Sequence, residues 1–264
     1  MTLWTFSALK AGKATTRWPK ADGATGQEGV LGMPRYRPEA CAEGCRACAD
    51  ACPSAAIHFE SDDNGPRLAL DYGACVVCQR CVEACPQGAM EPSTDWAFGV
   101  RERADLVWAQ DRTPPARPAE TRGLRRSLYV RHVDAGSCNG CESEIQALNN
   151  PFYNLHRLGI FFTASPRFAD LLLVTGPVTE AMLEPLKATY EAMAEPRWVV
   201  ATGTCAVSGA ITGGGYTGGA GLENVLPVDV WLPGCPPNPA AIIEALLMFL
   251  DRMPQRVTGG RYDK

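Results

Sequence analysis

Long apolar runs are missing from this chain. No stretch holds the ~20 consecutive apolar residues that cross a bilayer. The best one, AAIIEALLMFL from Ala240 to Leu250, has the length of a buried helix, so the chain is read as having no transmembrane segment of its own. The N-terminus, MTLWTFSALKAGKATTRWPK, lacks a sustained apolar core ahead of a cleavage site and lacks the paired arginines of an export signal, so the expectation is a cytoplasmic protein. Charge of one sign is scarce as well. A net charge of -4 excludes a surface built to coat nucleic acid, and 46% hydrophobic residues exclude a disordered chain. Histidine is limited to His58, His132 and His156, at no spacing that suits metal ligation, and these are read as structural or surface residues.

Cysteine, by contrast, is abundant, with twelve in 264 residues. Disulfides are rare in a reducing compartment, and crowding of this kind points instead to metal or iron–sulfur ligation. The length allows two modest domains, each with its own core. Composition places the division: DRTPPARPAETRGLRR packs three prolines and five arginines into a span without apolar periodicity, as a solvated, partly extended linker does. The expected organisation is a cysteine-rich domain over 1–112, a linker over 113–126 and a second domain over 127–264.

The first part contains an approximate internal repeat, CAEGCRACADACPSAAIHFE followed by CVVCQRCVEACPQGAMEP. Cys75, Cys78 and Cys81, then Cys85 before Pro86, reproduce the bacterial ferredoxin run C-x2-C-x2-C-x3-C-P. A [4Fe–4S] cube takes thiolates at its corners; a tight loop supplies three, and the fourth cysteine of each run serves the other cube. That rule groups Cys75, Cys78 and Cys81 with Cys52, and Cys41, Cys45 and Cys48 with Cys85. The first run is looser, because AEG separates Cys41 from Cys45, and the extra residue can be absorbed as a bulge beside Gly44. The alternative reading is a pair of zinc sites. Each run leads through a short helical segment, Ala47 to Ala51 or Val82 to Ala84, into a Pro turn and an extended piece such as Ala56 to Phe59. An α+β ferredoxin-like domain for two clusters follows.

The second part alternates short apolar, β-branched runs (127–134, 158–162, 169–176, 197–203 and 228–234) with helical patterns at Glu142 to Asn149, Thr179 to Ala194 and Pro239 to Leu250. Such alternation predicts an α/β domain with a mostly parallel sheet covered by helices on both faces. Three strands end at cysteine: Asp134 precedes Cys138 and Cys141, Gly203 precedes Cys205, and Gly234 precedes Cys235. Loops at the carboxyl ends of strands form the ligand crevice of open α/β sheets, so these four thiols are expected to converge on a third cube. The alternative is that Cys205 and Cys235 are small buried hydrophobes.

On DAGSCNGCESEI, ADLLLVTGPVT, ATGTCAVSGA and PVDVWLPGCPPNP, the span from about Gly123 to Met253 resembles the small subunit of energy-converting, group 4 [NiFe]-hydrogenases of the formate hydrogenlyase type. That family is homologous to the 20 kDa subunit of respiratory complex I. The N-terminal part, with SALKAGKATTRWP and both cysteine runs, resembles the polyferredoxin-type subunit of the same assemblies. The resemblance implies a fusion of two neighbouring electron-transfer subunits and a flavodoxin-like second domain. It implies that Cys138, Cys141, Cys205 and Cys235 hold the cluster beside a separate [NiFe]-hydrogenase-type large subunit. Complex I subunits have adjacent cysteines where Asn139 and Gly140 here separate Cys138 from Cys141, which favours the hydrogenase branch.

Glu142 and Glu144 occupy the acidic positions that relatives carry after the second cysteine. They are either favourable carboxylates at a helix start or, for Glu144, a proton relay facing the large subunit. GGGYTG, residues 213 to 218, formally matches G-x-G-x-x-G but follows no strand and is read as a loop near the cluster or a partner surface. Leu3, Trp4, Phe6 and Leu9 can form one helical face for a partner subunit or for lipid.

The expectation is thus an oxidoreductase subunit with three [4Fe–4S] clusters. It would carry electrons between a donor module and a [NiFe] large subunit, and be held at the inner face of the cytoplasmic membrane by other electron-transfer and membrane subunits. The alternative is a subunit of a complex I-like NADH/quinone oxidoreductase module without hydrogenase activity.

Overall fold

The computed structural model describes residues 3–11, 19, 30–62, 65–108 and 126–255. Helix α1 (Leu3–Ala11) belongs to one unit, and the described residues from Leu31 onward belong to another. In α1, Trp4, Phe6 and Leu9 are exposed. The expected linker falls outside the described residues except for Arg126.

The cysteine-rich part runs β1 (Arg35–Tyr36), α2 (Ala47–Asp50), β2 (Ile57–Asp62), β3 (Gly65–Asp71), α3 (Arg80–Glu83), β4 (Met90–Glu91) and β5 (Val107–Trp108). β1 pairs antiparallel with β4, and β2, β3 and β5 form a second antiparallel sheet in that order. The two short helices lie within the two cysteine runs, α2 carrying Cys48 and α3 carrying Cys81. Leu68, Leu70, Tyr72, Phe98 and Leu106 fill the core beneath them, with Tyr72 and Phe98 rings 4.6 Å apart. The extra residue of the first run is taken up in a turn closed by Cys45 N–H to Ala42 C=O at 3.2 Å. Gly44 sits there at φ +73° with open space where a Cβ would stand.

The rest runs β6 (Leu128–Asp134), α4 (Gly140–Ala147), β7 (Ile160–Phe162), β8 (Leu171–Thr175), α5 (Glu180–Glu191), β9 (Trp198–Thr202), α6 (Thr204–Ser208), β10 (Val230–Leu232) and α7 (Pro239–Phe249). The five strands pair in parallel in the order β10-β9-β8-β6-β7. This is the flavodoxin-like arrangement, with its switch point between β6 and β8. Every residue of the central strand β8, LLLVT, is buried, as strands covered on both faces are. α7 starts on Asn238, whose side chain accepts from Ala241 N–H at 2.8 Å, with Pro239 in the first turn where no N–H is needed.

All of α7 is buried, and part of its cover comes from the end of the cysteine-rich half. Gly99 lies against Ala245 so closely that a Cβ there would stand 3.0 Å from the Ala245 Cβ. Arg101 donates to Met248 C=O and to Asp251 Oδ1, each at 2.8 Å. Val100 and Trp231 exchange N–H···O bonds of 2.7 and 2.9 Å, an antiparallel bridge onto the edge strand β10. Among the described residues no helix is long and apolar enough to cross a membrane.

Candidate iron–sulfur sites

Three groups of thiols emerge from this framework. In the first, Cys48 and Cys85 lie within electrostatic reach of Cys41, and all three act on the Tyr36 hydroxyl, which also hydrogen-bonds Cys41. Burial, then the charge of Cys41 and Cys85, pushes Cys48 up to about 11. Cys85 goes the other way. Burial opposes ionisation, but backbone N–H groups from Gln87 to Met90 point at the sulfur, those of Ala89 and Met90 at 3.1 and 3.4 Å, and hold the thiol below its ordinary value. Cys45 lines, with Cys41, Tyr36, Arg46 and Phe59, an open cavity of about 650 Å³.

The second group joins Cys75 and Cys81 to Cys52 and Cys78. Cys75 is pushed up to about 12 and Cys81 to about 11, in both cases by burial first and then by the neighbouring thiols. Val77 N–H donates to Cys75 Sγ at 3.4 Å. Cys48 of the first group also acts on Cys81, so the two groups adjoin.

The third group sits at the carboxyl ends of β6, β9 and β10. Cys141 is raised by burial, then by Glu142, Cys205, Cys235 and Cys138; Cys205 and Cys235 are raised by burial and by the thiols beside them. Glycines let the loops close on one another. A Cβ at Gly203 (φ +89°) would stand 2.5 Å from Cys141 Sγ, and one at Gly140 would stand 3.6 Å from Cys138 Sγ. The β9 and β10 loops are tied by Thr204 N–H to Gly234 C=O at 2.9 Å. Asp134 Oδ1 accepts from Gly136 and Ser137 N–H groups and shapes the loop that leads to Cys138. Among the described residues no three His, Cys, Asp or Glu side chains are drawn tightly enough to grip a single metal ion.

Residues outside the cysteine pattern complete this third site. Glu142 accepts from the hydroxyls of Ser137, at 2.6 Å, and Thr175. Because the one hydroxyl proton of Thr175 goes to Glu142, His132 Nε2 is the donor in the 3.0 Å contact to Thr175 Oγ1. Burial lowers the His132 pKa, against the pull of Glu142 and Asp134. His132 thus joins β6 to β8 at the switch point and belongs to the site. Glu144 is half-buried, and burial raises its carboxyl. The GGGYTG segment forms part of the loop after α6 and returns to the start of α5, where Thr217 C=O accepts from Glu180 N–H at 3.0 Å. Tyr216 is wholly exposed there.

Residues 138–249 match the family model for the 20 kDa subunit of NADH ubiquinone oxidoreductase, and residues 27–89 match a 4Fe-4S dicluster domain. The chain is 43% identical over 136 residues to a probable membrane-bound hydrogenase subunit of Pyrococcus furiosus, covering 52% of this chain and 81% of that one. It is 42% identical over 134 residues to formate hydrogenlyase subunit 7 of Escherichia coli, covering 51% of this chain and 52% of that one. An NADH-quinone oxidoreductase subunit of Citrifermentans bemidjiense is 45% identical over 113 residues, covering 43% of this chain and 66% of that one. The chain thus spans about half the length of the Escherichia coli subunit. With a dicluster ferredoxin region ahead of a flavodoxin-like sheet, the chain belongs to the family of the 20 kDa subunit of NADH ubiquinone oxidoreductase and its hydrogenase relatives, as an electron-transfer subunit of an oxidoreductase.

Proposed function

We propose that the chain holds three [4Fe–4S] clusters, on Cys41, Cys45, Cys48 and Cys85, on Cys52, Cys75, Cys78 and Cys81, and on Cys138, Cys141, Cys205 and Cys235. Through them it passes electrons between a donor module and a [NiFe]-type large subunit of a membrane-associated hydrogenase. The observation that carries the reading is the third set, four thiols from three strand ends brought onto one another at the switch point of the sheet. The donor chemistry suits an iron–sulfur core. Each set is thiol-only, N–H groups aim at Cys75 and Cys85, and Gly203 leaves room at Cys141 that a side chain would fill. Three closely spaced cysteines followed by a C-P in each run favour a multi-iron core over zinc.

Bound cores would supply one-electron redox chemistry at fixed positions. The chain's own part is to hold the sets at fixed spacing, shield Cys75, Cys81 and Cys141 from water by burial, and set the local charge through Glu142. Glu144, half-buried one position beyond Ser143, is the candidate for moving a proton at the large-subunit face. The hydrogenase-type relatives and the Asn139–Gly140 spacer favour a hydrogenase over a quinone module; the 45% identity to an NADH-quinone oxidoreductase subunit is what favours the second reading. Attachment to the cytoplasmic membrane is through partner subunits.

The test is iron and sulfide content with EPR on the anaerobically purified chain. About twelve iron per chain is expected, four for each core, and Cys205→Ser should remove about four of them. An unchanged iron content in that variant overturns the third site. Recovery of the tagged chain with a nickel-containing partner, and reduction of its EPR signals by H2, separates the hydrogenase from the quinone module.

A further inference from the structure

Thr204 is wholly buried where the two halves of the chain meet. Its Oγ1 donates to the carbonyl of Cys75 at 2.9 Å and accepts from Gly234 N–H at 3.0 Å. Thr204 immediately precedes Cys205, and Gly234 immediately precedes Cys235. One hydroxyl therefore touches the backbone that carries three of the proposed ligands, one from the second set and two from the third. Further contacts across this boundary, among them Gly99 with Ala245, Val100 with Trp231, and Arg101 with Met248 and Asp251, help hold the halves together and involve no cysteine.

We propose that Thr204 is a positioning residue that fixes the approach of the second thiol set to the third and supplies the shortest bonded route between them. The inference rests on the three-cluster reading. The route runs from the Cys75 side chain through its own carbonyl, across one hydrogen bond, and along the Thr204 side chain and one peptide to Cys205. Transfer along it moves one electron, oxidising the core that gives it and reducing the core that takes it, and makes or breaks no covalent bond of the chain. Only a hydroxyl can serve both neighbours. Valine, of the same shape, would leave a buried carbonyl and a buried N–H without partners, whereas serine keeps both bonds.

The experiment compares the full chain with Thr204→Val, Thr204→Ser, Cys45→Ser and Cys78→Ser, each loaded anaerobically. Two readouts apply: magnetic broadening between reduced centres by EPR, and electron redistribution after a photoreduction pulse, followed by freeze-quench EPR. Broadening of the third centre's signal should survive Cys45→Ser and be lost in Cys78→Ser. Thr204→Val should keep its iron but lose the fast phase of redistribution and weaken the broadening, and Thr204→Ser should restore both. Broadening that survives Cys78→Ser, or a Thr204→Val chain indistinguishable from the parent, overturns the proposal. Should Thr204→Val shed iron, the Cys45 and Cys78 variants decide alone. A parent chain with fewer than about twelve iron overturns the three-cluster reading instead.

Discussion

Gly203 lies directly against the sulfur of Cys141, although Gly203 stands in the turn after β9 and Cys141 in the first turn of α4, after β6. A Cβ on Gly203 would come within 2.5 Å of that Sγ, and the residue's φ of +89° already disfavours any side chain. The closeness of the β6 and β9 loops thus depends on the absence of one methyl group.

Gly203→Ala should therefore open the third thiol set. The expected outcome is loss of about four of twelve iron per chain, with the ferredoxin-type EPR signals retained. Iron analysis and EPR of the purified variant check it; a full iron complement would show that the loops can part without losing their grip.

The carboxylate of Glu142 adjoins Cys141 and raises its thiol pKa after burial has done so. Removing that negative charge makes added electrons more welcome. Glu142→Gln should raise the midpoint potential of the third centre by tens of millivolts, on a scale where 59 mV is a tenfold change for one electron. Redox titration monitored by EPR reads the shift, and a fall or no change contradicts it.

Several buried thiols of the cluster-free chain titrate high, Cys48 and Cys81 to about 11 and Cys75 to about 12, from an ordinary value of 9.0. A folded-state pKa above the unfolded one means stability that is complete below pH 9 and is lost as pH rises through 11 to 12. The melting temperature of the cluster-free protein should hold from pH 7 to about 9 and fall above it. Ligation needs thiolates, so core assembly should release protons and proceed more readily at pH 8.5 than at pH 7. Anaerobic reconstitution at the two pH values tests this.

Arg101 is held by Asp251 and by the Met248 carbonyl, with its side chain only 12% exposed. Arg101→Ala should cost about 2 kcal/mol, the range for hydrogen bonds to a buried charged group. It should lower the melting temperature without lowering iron content, and calorimetry with iron analysis measures both.

The ferredoxin runs and the five strands are legible because their signals are local. The spacing of Cys75 to Cys85 is a ligand pattern in itself, and ADLLLVTG announces a central parallel strand by composition and its terminal glycine. The third thiol set is legible at one remove, through the rule that crevices form at strand ends. Thr204 and His132 are not. Thr204 acts through a carbonyl 129 residues away, and the partner of His132 lies on β8, so neither role leaves a trace in spacing. The turn at Gly44 falls between these cases, since a glycine beside an inserted residue marks where slack is taken up without giving the shape it takes.

The burial of α7 along its whole length, partly beneath residues 99–101, bears on how the chain is made. Its sticky surface emerges from the ribosome only after the segment that will cover it, so the helix meets a waiting lid rather than solvent. Two separate polypeptides would have to find each other first. Joining them in one chain also fixes the two halves at one to one, whatever the relative rates at which separate genes would be translated.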